Sequence, residues 1–564
     1  MNASSRPLCG LERIAVLLVV LAASCAVGCS CSQSLAIRAG AGHADFKGHI
    51  YPFLFGSPSD PNHAPSTWLR MPVHLEAGDT ARYFVDAGLA GADTDADEGV
   101  DVPTVFFIAS HGVPSEWAAW NSQVDLRKVA LGNPNEGGRL SYFWQCICQT
   151  LAHGPREIES DLTLAYSWPE KFDGSKDSVV MANAFERWGG THFGRRLRLA
   201  CGSSTNAPCM NASVYGSIWN HYLSFGYDVA DSFSEGLVAG GQHSETVPVC
   251  MAVGGDNWDD SPLFDQRFTA EENATTGSHY YLQFRKQIIK EKTAFGVAVM
   301  AQPQDSMPVF RALDLSSSGA GHRKTLEGVS ALVGGVTARR TEEQSGAVYY
   351  DTGLRPMVGP VKPWGGATSA GSVAGAQSMI EALLGQRFAL DVAVNEIMRV
   401  ARAADGTPLI TKPLNDHLRT KDVFLTFRRL IDVGSKCVGG PGAALAPSVG
   451  SGGVVKIQMG GDGRILRVAI VLREIEASGG PTACKTVTKE SDAAALATEQ
   501  LKEMVGTRVS QYHLDPELSR WGYKEEPGNV AQAELKIVWQ FVFFPNDGVD
   551  PMTASPVLIE VPAQ

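Results

Sequence analysis

The chain has no basic excess. Its 48 Lys and Arg are outnumbered by 60 Asp and Glu, for a net charge of −12, and no stripe of Lys and Arg interrupts that balance. Phosphate binding needs clustered cations, so nucleic acid is excluded as a partner. There is no HExxH zinc motif, no Walker A loop and no GxSxG elbow, which removes three common routes to hydrolysis. The apolar run from Ile14 to Gly28 is shorter than the roughly 20 residues a membrane-spanning helix needs. Apolar residues are not scarce, however: 44% hydrophobic against 19% charged describes a globular protein rather than a disordered one. At 564 residues, and with roughly 100 to 200 residues per domain, two or three domains are expected.

Arg6 and Arg13 precede the apolar run, and CSCSQS follows it. That is the charged, apolar and small-residue order of a secretory signal over residues 1–29. AVGC, ending at Cys29, resembles the lipobox of bacterial lipoproteins, with Cys25 a poorer match because AAS precedes it. The resemblance implies a lipid on the cysteine and membrane attachment through that amino-terminal anchor alone. The expected location is outside the cytoplasm, either in the bacterial envelope as a lipoprotein or secreted. An exported chain can use disulfides. Four of the eleven cysteines lie at or before residue 31. Cys201 and Cys209 flank GSSTNAP and could close a small loop, and Cys437 and Cys484 are the two cysteines of the carboxy-terminal region. Cys146, Cys148 and Cys250 remain, an odd number that suggests a thiol left reduced.

Residues 30–48 are small and polar and read as a tether. Residues 49–300 read as an α/β domain. HIYPFLFG, at 49 to 56, is a first strand, a helix follows around Thr80 to Leu89, and the apolar block TVFFIA leads into Ser110, His111 and Gly112. LSYFWQCIC forms the next strand, and another ends near Cys201. Ile218, Tyr222, Phe225, Val229, Phe233 and Leu237 recur in steps of three and four, the spacing of a long amphipathic helix, with Gly240 and Gly241 as its stop. VPVCMAVGG is a buried strand. Strand, helix and strand in alternation fit a doubly wound layer architecture. Residues 301–371 are connection and edge structure.

Residues 372–564 differ in kind. Val373, Ala376, Ile380, Leu383 and Leu384 mark a helix stopped by Gly385, and VVKIQMGGDGRILRVAIVLREIE is a hairpin turning at Asp462 and Gly463. A second helix from about Asp492 to Val505, capped by Ser491 or Asp492 and ended by Gly506, precedes the strand AELKIVWQFVFFP. Helix then antiparallel strands, twice over, describes an α+β domain in two halves.

The chemistry concentrates on residues 104 to 149. A thiol attacks a carbonyl as thiolate and needs a base or cation beside it. Residues just past the carboxyl ends of adjacent parallel strands open on one crevice, and His111 and Cys148 both occupy such positions. The amide of Gly112, with that of Cys148, could form an oxyanion hole. An apolar block ending in His-Gly, followed by one ending in Cys, resembles the caspase, legumain and gingipain clan of cysteine peptidases. SHGVPSEW, CQTL, the WGGTH segment at 188 to 192 and the VAVGG strand are similar to an exported bacterial family with a caspase-like domain. The resemblance implies a mostly parallel sheet flanked by helices, with His111 as general base or acid, Cys148 as nucleophile and Gly112 as oxyanion donor.

Gln145 directly precedes Cys146, so Cys146 is an alternative nucleophile. The strand-end position favours Cys148, and two cysteines at i and i+2 share a face, so they also suit a buried apolar pair. Asp93, Asp95 and Asp97 have the spacing of a calcium loop, but Gly99 falls one place late and no Glu stands at the twelfth position. They are either a weak calcium site or a solvated acidic loop, and no other cofactor is expected. His192 either lines the cleft or is structural.

The segment from Phe427 to Glu476 resembles PepSY and fungalysin-propeptide repeats, with YHLDPELSRWGYKEE and LKIVWQFVFF as the companion half. That resemblance implies a role in inhibiting or chaperoning a peptidase. Two functions are therefore expected: an exported thiol peptidase acting on a peptide or protein substrate, or a non-catalytic envelope or surface binding protein on a caspase-like fold.

Overall fold

The computed structural model describes residues 35–41, 68–70, 103–113, 116–119, 122–125, 131, 140–151, 156–158, 164–166, 197–205, 222–223, 226–241, 246–255, 257–258, 261–266, 278–287, 302–313, 338–341, 345–359, 377–378, 380–400, 419–434, 444–478, 484–528, 530–549 and 556–563. Five strands begin the main sheet: β1 (Leu35–Ala41), β2 (Trp68–Arg70), β3 (Val105–Ala109), β4 (Tyr142–Cys146) and β5 (Leu199–Ser203). They lie in the order β2-β1-β3-β4-β5, and every pairing among them is parallel. β3 and β4 read VFFIA and YFWQC and are buried at every position, the pattern of parallel strands covered on both faces.

From β5 onward the sheet turns antiparallel. β6 (Pro248–Gly254) pairs with β5, and β7 (Ser278–Gln287) pairs with β6. β7 then pairs along its length with β9 (Arg387–Val400), His279 to Gln287 lying against Val400 to Val392. Four more strands continue the sheet in the order β10-β12-β13-β8. These are β10 (Arg419–Asp432), β12 (Val454–Gly460), β13 (Ile465–Val471) and β8 (Val348–Asp351). The fold is thus a mixed α/β structure dominated by strands. The expectation of a mostly parallel sheet describes its first five strands and not the whole, because β7 carries the sheet without a break into the antiparallel region.

The distal end of β10 turns into a second sheet. Leu430 to Asp432 pair with β11 (Leu445–Gly450), and β11 runs parallel to β14 (Tyr512–Glu525). β15 (Glu534–Pro545) and β16 (Val557–Pro562) follow, antiparallel. A helix, α2 (Glu490–Val505), covers this sheet through Ala493, Ala497, Leu501 and Val505, one residue per turn along a single face. Gly506 ends α2 with φ of 63°, as expected. Its N-cap is Lys489 rather than Ser491 or Asp492, so both of those fall inside the first turn, where Asp492 lies near the positive end of the helix dipole. The Asp462-Gly463 hairpin joins β12 and β13 with Gly463 at φ of 86°.

Two readings of the amino-terminal half change. Residues 35–41 are not tether: they form β1, paired with β3 from Ile37↔Val105 to Ala41↔Ala109. The single long helix expected from Ile218 is interrupted. Tyr222 and Leu223 are helical, Gly226 takes φ of 79°, and a separate helix, α1 (Val229–Gly241), starts behind Asp228. The Asp228 carboxylate accepts the backbone N–H of Asp231 at 2.7 Å, so Asp228 is an N-cap inside what the apolar spacing presents as one helix. Val229, Phe233 and Leu237 still face inward, and Phe233 packs on Trp144 of β4 with ring centroids 5.5 Å apart. The signal segment, the strand read at 49 to 56 and the helix at Thr80 to Leu89 lie outside the described residues.

α1 is fastened to the antiparallel sheet by a buried polar cluster. Lys421, on β10, donates from Nζ to Asp228 at 2.7 Å, Asp231 at 2.8 Å and Asp422 at 3.0 Å. Asn395 of β9 donates to Asp231 and Asp422 at 2.7 and 2.6 Å, and Gln458 of β12 donates to the same two at 2.9 and 3.0 Å. Gln458 in turn accepts from Arg467 at 3.0 Å. All three ammonium hydrogens of Lys421 are therefore used, and its neighbours hold its pKa well above the ordinary value against the effect of burial. Burial, with Asp228 and Asp422 adding, raises the Asp231 carboxyl well above the usual carboxylate range, and Lys421 opposes this only in part.

Replacing Lys421 by Met should leave these carboxylates without their cation and destabilise the fold by about 3–5 kcal/mol in urea titration. The raised Asp231 pKa means that, above the ordinary carboxylate pKa near 4, the folded chain holds a proton the unfolded chain has released. Stability from this group therefore falls as pH rises toward the folded value. Asp231→Asn should flatten that part of the pH dependence, read as the difference between the urea midpoints of the two proteins across the pH series.

Candidate functional site at the carboxyl ends of the parallel strands

The register of the parallel strands ends β3 and β4 at one edge, and both expected residues follow there. Ala109 lies beside Cys146 as the last pair of the register, and His111 and Cys148 each follow two residues later, just past the two strand ends. On the other side Cys201 lies beside Trp144 as the last pair of that register. Ser110 N–H donates to Cys146 O at 3.2 Å, and after Cys148 the chain turns back along β5, Gln149 N–H donating to Thr205 O at 2.9 Å and Leu151 N–H to Ser203 O at 3.2 Å. The strand order reverses at β1, so the crevice between β1 and β3 is the switch point at which open α/β sheets bind ligands. His111 leaves β3 at that edge.

Around the edge the backbone is constrained. Gln149, immediately after Cys148, takes φ of 59°, the left-handed region that side-chain-bearing residues seldom occupy, and such residues collect at functional sites. Gly112 opens a small three-stranded sheet, Gly112–Val113, Glu116–Ala119 and Ser122–Asp125, in which it lies opposite Trp117. The hydroxyls at the end of β5 and just after it are committed to structure. Ser203 and Ser204 donate to Val247 O at 3.2 and 3.4 Å, and Thr205 Oγ1 accepts from Val247 N–H at 2.9 Å. Both central residues are closed from solvent, His111 at 2% exposure and Cys148 at 1%.

The cysteines sort differently from the sequence expectation. Cys146 is disulfide-bonded, so its sulfur is not a thiol and it drops out as the alternative nucleophile, while Cys148 keeps a reduced thiol. Cys201 is also reduced, which overturns the Cys201–Cys209 disulfide. Its neighbour is Cys250, the residue directly across the β5–β6 pairing, with the sulfurs 2.9 Å apart. Burial, the Cys250 thiol and Asp228 push the Cys201 thiol pKa well up, leaving it a protonated packing residue. The physical reason is direction: on the strand, Cys201 faces the core with Trp144 and Phe233 and meets the cross-strand cysteine first. Cys484 is disulfide-bonded. Cys209, Cys437, His192 and the acidic loop of Asp93, Asp95 and Asp97 lie outside the described residues.

Asp228, Asp231 and Asp422 have carboxylate oxygens within 4.8 Å of one another, the grouping of a metal site. The Lys421 ammonium stands among them and supplies the positive charge. The apolar spacing that reveals the helix face says nothing of this cluster. Two signals were legible, Asp228 just before an apolar run and the Lys421-Asp422 pair opening an apolar strand, but nothing in the sequence joins them.

No protein-family model matches the chain, and no curated protein does. Among solved structures, an uncharacterized protein from Eubacterium rectale ATCC 33656 is similar over 47% of this chain and 85% of its own, at 11% identity and a TM-score of 0.27.

Alkylation followed by mass spectrometry checks the thiol assignments. Under denaturing, non-reducing conditions Cys148, Cys201 and Cys250 should be modified, while Cys146 and Cys484 should become reactive only after reduction. Modification of Cys146 without reductant would return it to the list of possible nucleophiles.

Proposed function

We propose that the chain is an exported protein with a caspase-like cysteine-peptidase centre formed by His111 and Cys148. The observation that carries this reading is the register: one residue able to move a proton and one reduced thiol stand at matching positions beyond adjacent parallel strands, beside the switch point of the sheet. In the proposed reaction His111 takes the Cys148 proton and the thiolate adds to a peptide carbonyl carbon. The C–N bond then breaks as the imidazolium returns the proton to the leaving amine, and water hydrolyses the thioester, regenerating the thiol. The amides of Cys148 and Gly112 are the proposed donors to the oxyanion. The disulfides at Cys146 and Cys484 support an oxidising, extracytoplasmic location.

The burial of both dyad residues favours a second reading, a non-catalytic binding protein on the same scaffold. The two separate cleanly. An electrophilic peptide probe should label the mature protein at Cys148, and the label should vanish in Cys148→Ala and fall at least about tenfold in rate in His111→Ala, the scale of general-base assistance. Equal labelling of His111→Ala would sink the dyad. A Cys148→Ala protein that retains every phenotype would favour the binding reading.

For the carboxy-terminal region, the resemblance to peptidase-inhibiting and chaperoning domains suggests a supporting role. The continuous β7–β9 pairing and the Lys421 cluster favour a permanent support over a detachable one.

A further inference from the structure

The Lys421 cluster sets a nucleophile against carboxyl groups as well as a cation against anions. The β9–β10 register pairs Asn395 with Asp422 and Glu396 with Thr420, skipping Lys421. Such a bulge re-aims a side chain, and here the sequence neighbours Lys421 and Asp422 meet in one cluster. Lys421, Asp228, Asp231, Asp422, Asn395 and Gln458 are each at most 2% exposed, and the Phe264 ring centroid stands 5.2 Å from the ammonium. Bulk water, which would favour hydrolysis over condensation, does not reach these groups.

The carboxyl groups differ in placement. Asp228 holds the backbone N–H of Asp231 on one oxygen and turns the other to Lys421 Nζ at 2.7 Å, the position of a base. Asp231 lies 2.8 Å from Nζ and accepts on its two oxygens from Asn395 at 2.7 Å and Gln458 at 2.9 Å, so two amide donors polarise its carbonyl. Burial raises its pKa well above the usual carboxylate range, which favours the neutral acid that an amine can attack. Asp422 lies farther from Nζ, at 3.0 Å, and an amide between adjacent residues would close a small ring through a trans peptide.

We infer that Lys421 and Asp231 condense to an intramolecular amide that joins β10 to the start of α1. In the proposed step the ammonium passes a proton to Asp228, and the nitrogen lone pair adds to the Asp231 carboxyl carbon, forming the C–N bond. Asn395 and Gln458 hold the oxygens of the tetrahedral intermediate. Its nitrogen releases a second proton to Asp422, Asp228 returns its proton to the departing hydroxyl, and the C–O bond breaks to release water. The net charge of the cluster is unchanged, and no oxidant is needed. The neighbouring carboxylates hold the proton on Lys421, which makes the step slow, but a reaction that occurs once per molecule needs no speed. Fixed contact compensates, since well-oriented groups reach effective concentrations of about 10⁵–10⁸ M. The ion-paired cluster described above is the precursor.

Tryptic mapping of the full chain after denaturation and reduction tests this. The map should contain a branched peptide joining the segments around Asp231 and Lys421, in protein lighter by one water. Lys421→Arg, which keeps a cation, should contain none. Asp228→Asn, which keeps both reacting groups, should slow appearance of the branch during cell-free synthesis by at least about a hundredfold, the scale of proton-transfer assistance. Near-UV circular dichroism checks that each variant is folded, and the wild-type map decides the inference even where a variant is not. Absence of the branch from natively folded wild-type protein would overturn the inference, as would loss of water without a branch, the mark of a cyclic imide, or a link to a different carboxyl. An unchanged rate in Asp228→Asn would overturn its role as the base. Cys148→Ala should carry the same branch, so the result is independent of the dyad.

Discussion

The buried ammonium of Lys421 is the constraint on which the rest of the structure depends. It sits at zero exposure among three carboxylates from two parts of the chain, Asp228 and Asp231 at the start of α1 and Asp422 on β10. Charges this deep are tolerated only when paired and fully hydrogen-bonded, which requires α1, β9, β10 and β12 to hold one relative position. Taking any of them away would leave ionised or strongly polar groups facing an apolar interior. The regions before and after residue 300 are thereby committed to one another in geometry as well as in sheet pairing.

That commitment reaches the strand-end edge through packing. α1 presents Asp228 and Asp231 to the cluster at its start and Phe233 to Trp144 of β4 further along. Trp144, Cys146 and Cys148 lie on the same face of β4 and its extension, in one core with Cys201, Cys250 and Phe233. The strand that delivers Cys148 is therefore backed by a helix whose own position is set electrostatically. A second buried pair, Arg429 with Glu525, supported by Ser448 at 2.9 Å, ties β10 to β14 in the same manner and keeps the second sheet in register with the first.

Much of the fold was legible because local pattern and tertiary environment agree. Wholly apolar blocks such as VFFIA and YFWQC leave no polar face, so parallel strands covered on both sides are their natural state. The Asp462-Gly463 turn, the Gly506 helix stop and the buried strand at Pro248–Gly254 follow from glycine geometry and strand composition. The misreadings have equally physical causes. The tether hid β1 because small residues such as those of LAIRAGA carry little apolar signal, while their backbone pairs as well as any other. The long helix was divided because apolar spacing continues across Gly226 and does not register an Asp whose carboxylate turns back to cap the next helix.

By itself, the sequence determined the apolar core strands, the turn positions, the acidic balance and the choice of His111 and Cys148 as candidates, because each rests on composition or on contacts a few residues apart. Tertiary structure alone decided which thiols are available. Disulfide formation depends on distance and direction across strands, and so it engaged Cys146, spared Cys148 and set Cys201 against Cys250. Tertiary structure also decided that Lys421 stands among three aspartates, since residues separated by 190 positions meet only when the sheet and α1 have packed.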